Sequence, residues 1–367
     1  MPRISPAAIR QAYKISPHAA TILPACRDLP SSINELRWIR EHVEELQRGR
    51  APSPFRTEYQ VTSLCLQRGR GVPLQYVLGS QPFGNLDLKC RPGVLIPRPE
   101  PEAYTTHLAN LIKQGSLLSQ GENQPPSTLR VLDLCTGTGC IALLLYSLLR
   151  RAIPASLHVL GVDISAQAVR LAHENLARNT AKGLVSAPQS PGQSVDFIRG
   201  DVFSDSLFAE VETQAAAGGS DPRPAWDILV CNPPYVSRWA FAHQTARSVR
   251  NYEPKIAQVP AAIYGGGAVR PEDVFYARLL DIGVRLGPRV MLFEVGDLEQ
   301  ALRVAEMILD HKDLVSSGSS VSVEVWRDWP DAAPEEGEET SAKVRGGGRE
   351  VHIRGSGHGR SVFIQCR

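Results

Sequence analysis

Arg130-Val-Leu-Asp-Leu-Cys-Thr-Gly-Thr-Gly-Cys140 passes from an apolar strand pattern directly into an apolar helix, Ile141 to Leu149. Gly137 and Gly139 can take positive φ and let a ligand approach the backbone, while the helix start behind them offers unpaired N–H groups. The segment reads as a nucleotide-type ligand loop, with Asp133, Thr136, Gly137, Thr138 and Gly139 as candidate cofactor contacts. Its spacing, Asp133-x-x-x-Gly137-x-Gly139, lacks the third glycine of the dinucleotide fingerprint, which favours an adenosyl compound over a bound pyrophosphate.

Two further strands follow at βαβ intervals. Leu157 to Ile164 ends in Asp163, whose carboxylate can accept both ribose hydroxyls, with Ile164 beside it. The alternative is that Asp163 caps the next helix, a task open to Ser165 as well. Ser194 to Arg199 delivers Gly200-Asp201-Val202-Phe203, where a carboxylate and a ring would flank an adenine, or where Asp201 closes a tight turn. From Leu129 onward strands alternate with helices as in a parallel sheet covered on both faces, which places ligands at the carboxyl ends of the strands.

A fourth apolar run, Trp226 to Cys231, ends in Asn232-Pro233-Pro234-Tyr235. An Asn side chain and a prolyl carbonyl held by two fixed φ angles present acceptors to a planar NH2 group and leave the nitrogen lone pair free. Pro-Pro in isolation is also a plain strand stop. With the ligand loop upstream, the segment reads as a tool for alkylating an amide or amine. Tyr235 would supply an aromatic wall against the flat substrate group, or serve only in packing.

The chain resembles the class I S-adenosylmethionine methyltransferases that methylate the glutamine amide of translation release factors, the HemK/PrmC family, in its mitochondrial branch. The likeness is carried by Arg70-Gly-Val-Pro-Leu-Gln-Tyr-Val-Leu-Gly79 with Phe83 and Gly84, by Val94-Leu-Ile-Pro-Arg-Pro-Glu100, and by the glycine loop. Asn232-Pro233-Pro234-Tyr235 and Asn251-Tyr-Glu-Pro254 followed by Gly265-Gly266-Gly267 complete the set, over about Ser31 to Gly296 and again from Arg360 to Cys366. The resemblance implies an α/β protein with a seven-stranded Rossmann-like sheet, helices on both faces and a small N-terminal helical domain that docks the release factor. It divides the chain into a helical domain at 1–80, a β linker at 81–100 and a methyltransferase domain at 101–367. Its cofactor is S-adenosylmethionine, held by Asp133, Thr136 to Gly139, Asp163, Ile164, Asp201, Val202, Phe203 and Asn232. Asn232, Pro233, Pro234 and Tyr235 are the catalytic set, and Arg98, Glu253, Pro254 and the three glycines would meet the substrate. The partner is a class I peptide chain release factor containing Gly-Gly-Gln, with no direct nucleic acid and no membrane. Two positions depart from the family pattern: Pro101 replaces a usual threonine, and Cys135 replaces the first glycine of the loop. A DNA or RNA amino-group methyltransferase, of adenine N6 type, is the alternative, because the same motif suits an exocyclic NH2 on a flipped base.

Composition fits this reading. At 367 residues the chain can bury a full core, and a formal charge of +2 provides no broad basic field for duplex DNA. The seven cysteines and nine histidines show no paired metal spacing, so a reducing compartment and no metal are expected. No apolar run reaches the ~18 residues that span a bilayer, so a soluble protein is expected. The first 27 residues carry Arg3, Arg10, Lys14 and Arg27 and no acid, a bias shared by mitochondrial transit segments and by ordinary basic first helices. Mitochondrial placement is what the resemblance implies, with the cytoplasm as the other option.

Ser32-x-x-Glu35 reads as a capping box opening a helix that carries Ile33, Leu36, Ile39, Val43 and Leu46 on one face before Gly49. A short β segment is expected around Phe83 to Leu95. The stretches 181–193 and 213–225 read as surface insertions. The segment 331–359, acidic at its start and then glycine-rich, reads as a disordered loop between two antiparallel strands, Val321 to Trp326 and Ser361 to Gln365.

Overall fold

The structure is a computed structural model describing residues 4–49, 53–119, 124–186, 190–216, 226–261, 269–315, 320–344 and 348–366. The family glycines Gly265 to Gly267, residues 187–189 of the first expected insertion and 217–225 of the second lie outside them. The chain forms two compact units, the first made of Met1–Gln81, Cys90–Ile96 and Thr245–Glu253, the second of the remainder.

The first unit is helical. Its helices Pro6–Ile15, Pro17–Cys26 and Pro54–Gly69 each start with proline behind a serine cap, and Leu29–Gln47 starts behind Asp28. Proline suits such positions because its missing N–H would be unpaired in any case, while the serine or aspartate oxygen satisfies an amide further on. The expected capping box at Ser32 is not formed. Asp28 accepts the Ser31 amide, Ser32 lies inside the helix and donates to the Ala19 carbonyl, and Glu35 forms a two-pronged pair with Arg68. Leu36, Ile39 and Val43 enter a core with Ala19, Ile22, Val61, Cys65 and Val77, whereas Ile33 and Leu46 face outward. The basic N-terminal stretch contributes Ala12, Ala19, Ile22 and Leu23 as buried residues, so it is folded as ordinary helix here.

Within the same unit, Tyr76 Oη donates to the Val94 carbonyl and a Glu253 carboxylate oxygen accepts the Ile96 amide. A hairpin of β1 (Ser80–Phe83) and β2 (Leu86–Lys89) leads on along the chain.

The second unit is built on one sheet. Its strands are β3 (Thr128–Leu134), β4 (Ser156–Asp163), β5 (Gln193–Arg199), β6 (Ile228–Cys231), β7 (Val290–Glu294), β8 (Val321–Trp329), β9 (Ser341–Lys343), β10 (Glu350–Arg354) and β11 (Ser356–Cys366). They lie in the order β5-β4-β3-β6-β7-β11-β8-β10-β9. β5, β4, β3, β6 and β7 are parallel, and β11 is antiparallel to both neighbours. Seven strands were expected and nine are found among the described residues. The additional pair, β9 and β10, falls within 331–359, the segment expected to be disordered. That expectation weighed average composition, whereas Val351 and Ile353 alternate onto one face and, with Val344, are buried in the core. One of its acids is also engaged: Glu338 accepts the amides of Glu335 and Gly357.

Apolar side chains cover both faces of the sheet. One cluster joins Leu132, Leu160, Leu229 and Met291 to the helices Val274–Leu286 and Leu298–Leu309, and the other joins Val131, Val159 and Val230 to Cys140–Leu149 and Pro99–Lys113. No helix among the described residues is long and apolar enough to cross a membrane.

Candidate active site

The register of four parallel strands sets the site. Val162, Leu134, Cys231 and Phe293 are neighbours across the sheet. The residues that follow them, Asp163, Cys135, Asn232 and Glu294, therefore leave its carboxyl end in one row, where an open α/β sheet binds ligands.

After β3 the chain turns sharply. Cys135 has φ +60°, Gly137 +57° and Gly139 +78°. Gly139 caps the helix Cys140–Leu149, and a Cβ there would lie 2.9 Å from the Phe197 ring. Gly137 is different, because a Cβ on it would meet nothing within 4 Å, so this turn faces open space. Its amide donates to Asp163 Oδ2 at 2.9 Å, and Asp163 Oδ1 accepts the Ser165 amide at 2.8 Å. Asp163 thus braces the loop and the next turn, while Ser165 caps the following helix. Each carboxylate oxygen keeps a lone pair for a ribose hydroxyl. Burial raises the Asp163 carboxyl above its ordinary value, against the two amides.

Asp133 is fully buried at the base of this loop. Thr136 Oγ1 donates to its Oδ2 at 2.6 Å, while Oδ1 has no hydrogen-bond partner among the described residues. Burial pushes its pKa up to about 7; the Thr136 hydroxyl and the Ala142 amide oppose the rise, and Asp163 adds to it. A buried carboxylate beneath a glycine turn that faces open space suits a cofactor loop whose ligand carries positive charge and a sugar. Thr136 and Thr138 are themselves buried, and the Thr138 carbonyl is held by Asn175.

The residues after β4 and β5 separate in their surroundings. Ile164 is 45% exposed at the strand end. Asp201 accepts the Phe203 amide at 3.0 Å, forming the tight turn that was its alternative reading. Val202 is a core residue with its carbonyl bonded to Arg278, and Phe203 meets the Phe275 ring edge-on at 4.8 Å. Val202 thus packs into the core, while Phe203 is half-buried beside Phe275.

Asn232 is half-buried after β6, Pro233 and Pro234 are buried, and Tyr235 is half-buried. Tyr235 is held at both ends. Its hydroxyl donates to Glu294 Oε1 at 3.0 Å, and its carbonyl accepts Gln300 Nε2 at 3.3 Å. Glu294 Oε2 accepts the Tyr104 hydroxyl at 2.9 Å, and the Glu294 carbonyl accepts that of Tyr276 at 2.8 Å. Sequence reading missed Glu294, Tyr104 and Gln300. A signal existed for the first: Val290-Met-Leu-Phe-Glu294 is an apolar strand ending in an acid, as the run into Asp163 is.

Arg98 precedes the helix Pro99–Lys113 without capping it, and Pro101 occupies the first turn of that helix. Glu253, expected at the substrate, is 6% exposed and bonds the Ile96 amide, while Pro254 precedes a short 3-10 turn, Lys255–Ala257. Among the described residues, no group of three or more His, Cys, Asp or Glu could hold a metal ion.

A methyltransferase domain family model matches residues 126–190. The mitochondrial MRF1 N(5)-glutamine methyltransferase MTQ1 of Saccharomyces cerevisiae is 32% identical over 260 residues, 71% of this chain and 68% of that protein. The probable MRF1 mitochondrial N(5)-glutamine methyltransferase mtq1 of Schizosaccharomyces pombe is 32% identical over 319 residues, covering 84% of this chain and 90% of the relative. A release factor glutamine methyltransferase of Pasteurella multocida is 33% identical over 205 residues, 55% and 58% of the two chains.

Proposed function

The chain belongs to the release factor glutamine methyltransferase family, and on that premise we propose that Asn232 and Pro233 hold the substrate carboxamide while the turn at Gly137 and the carboxylates of Asp133 and Asp163 hold the cofactor. It is an S-adenosylmethionine-dependent protein-(glutamine-N5) methyltransferase acting on a release factor. The observation that carries the site assignment is the pairing of Leu134 with Cys231, which sends the glycine loop and the Asn-Pro-Pro-Tyr segment off the sheet side by side.

S-adenosylmethionine supplies an electrophilic methyl group. The protein's task is orientation, because an amide nitrogen is a poor nucleophile whose lone pair is delocalised. Asn232 Oδ1 and the Pro233 carbonyl accept the two N–H bonds of the glutamine side chain and aim its nitrogen along the line of transfer. Fixing two reactants in this way removes up to ~7–11 kcal/mol of barrier in model reactions. The same oxygens suit the positive charge that develops on nitrogen and need no reorganisation. No general base is required before transfer, since the proton can leave afterwards.

We assign the glutamine to the Gly-Gly-Gln motif and the site of action to the mitochondrion. The two fungal relatives named as mitochondrial enzymes support the second assignment. Incubating the purified chain and labelled cofactor with a mitochondrial release factor, its Gly-Gly-Gln variant, DNA and RNA tests the reading. Label on the intact factor alone is expected, and label on nucleic acid would overturn it.

A further inference from the structure

We propose that Glu294 is a positioning residue for methyl transfer: its carboxylate accepts the Tyr235 hydroxyl and thereby fixes the acceptor pair of Asn232 and Pro233. The inference rests on the function proposed above for the Asn-Pro-Pro-Tyr segment.

Glu294 is 3% exposed, and burying a carboxylate is costly unless its charge is used. Here both oxygens are taken by hydroxyls, at 3.0 Å from Tyr235 and 2.9 Å from Tyr104. Hydrogen bonds to an ionised acceptor are stronger than neutral ones, and low local dielectric strengthens them further. At the other end of Tyr235, Gln300 grips the carbonyl while its own Nε2 is bonded to Asp273 Oδ1 at 2.8 Å and its Oε1 accepts the Gly296 amide at 2.8 Å. Tyr235 is the last residue of the motif, so clamping its hydroxyl and its carbonyl leaves the preceding prolines and Asn232 little freedom to shift. A displacement of about 1 Å at such a site costs on the order of 100-fold in rate.

The groups facing Glu294 are Tyr104 and Glu100 from the helix Pro99–Lys113, Tyr235, Cys140, Tyr276, and Arg360 on β11, which is itself paired with Asp328. Burial pushes the Glu294 carboxyl up to about 7, the two tyrosine hydroxyls and Arg360 oppose the rise, and Glu100 adds to it. A neutral Glu294 must spend one oxygen as a donor. Its hydrogen bonds to the two tyrosines are then no longer charge-assisted and weaken.

The test measures kcat, KM for the release factor, S-adenosylhomocysteine affinity and melting temperature for wild type, Glu294→Gln, Tyr235→Phe and the double variant. Each single substitution is expected to lower kcat by roughly 10–100-fold with KM and cofactor affinity within about 3-fold, and the double variant should be no worse than the poorer single one. Wild-type kcat should fall below about pH 7, with the fall absent in Glu294→Gln. Wild-type kcat in Glu294→Gln, additive losses in the double variant, or cofactor affinity lost in parallel with kcat would overturn the proposal. Tyr235→Phe removes a single oxygen, so it carries the kcat and pH comparison if Glu294→Gln does not fold. A wild-type protein that methylates no release factor overturns the underlying function instead, whereas an active wild type matched by Glu294→Gln overturns the positioning role alone.

Discussion

The Gly137 amide donates to Asp163 Oδ2 across 2.9 Å, which ties the turn after β3 to the residue that closes β4. One carboxylate therefore shapes the loop and presents acceptors to whatever the loop holds.

Replacing that carboxylate removes both effects. Asp163→Ala is expected to weaken S-adenosylhomocysteine binding by at least ~10-fold, since a buried charged hydrogen bond is worth about 1.5–3 kcal/mol. The rate at saturating cofactor should fall less. Isothermal calorimetry and a saturation curve separate the two, and unchanged affinity would remove Asp163 from the cofactor site.

Asn232→Ala should behave in the opposite way. Its acceptor is aimed at the substrate, so methyl transfer is expected to fall by about 100–1,000-fold, the usual loss of a preorganised polar group in a transition state. Cofactor affinity should stay within a few-fold. Near-normal turnover would refute the assignment.

Cys135 sits at φ +60° without being glycine. A left-handed conformation costs an L-residue roughly 1–2 kcal/mol, while glycine loses about 0.5–1 kcal/mol more backbone entropy on folding. Cys135→Gly is thus expected to stabilise the protein by up to about 1 kcal/mol, read as a rise in the urea midpoint. A lower midpoint would show that the thiol contributes more through packing than its backbone loses.

Asp133 and Glu294 both titrate near pH 7 in the folded protein, far above an unfolded carboxyl. Groups raised in this direction favour the folded state while protonated, so their contribution is complete below the unfolded values and is lost as pH climbs through about 7. The part of the melting temperature that these two groups contribute should therefore drop between about pH 5 and pH 7 in the cofactor-free protein. Asp133→Asn should flatten part of that drop, and a profile unaltered by the change would show that Asp133 is already ionised at about pH 5.

Much of the site was legible in the sequence because strand ends announce themselves. Apolar runs stopping at Asp133, Asp163 and Asn232 mark the carboxyl edge of a parallel sheet, and glycines mark the turn. What stayed hidden depends on residues distant in sequence. Glu294 is beside Asn232 only through strand register, and its second oxygen is reached by Tyr104 from the helix Pro99–Lys113. At Val202 and Phe203 the sequence leaves open whether the side chains face a ligand or the interior, and the packing of Val202 in the core and of Phe203 on Phe275 is the part that only the fold reveals. The capping box at Ser32 failed on a similar point, since Asp28 begins the helix one turn earlier.

The strand order also bears on how the molecule avoids its own kind. On the side away from β5 the sheet ends at β9, a strand of three residues, instead of at the nine-residue β8. A long unpaired border is a template on which a second chain can add its backbone, and a very short one is a poor template. Deleting 331–354 would leave β8 bare along one side, and the shortened protein would be prone to self-association through that border even with its chemistry intact.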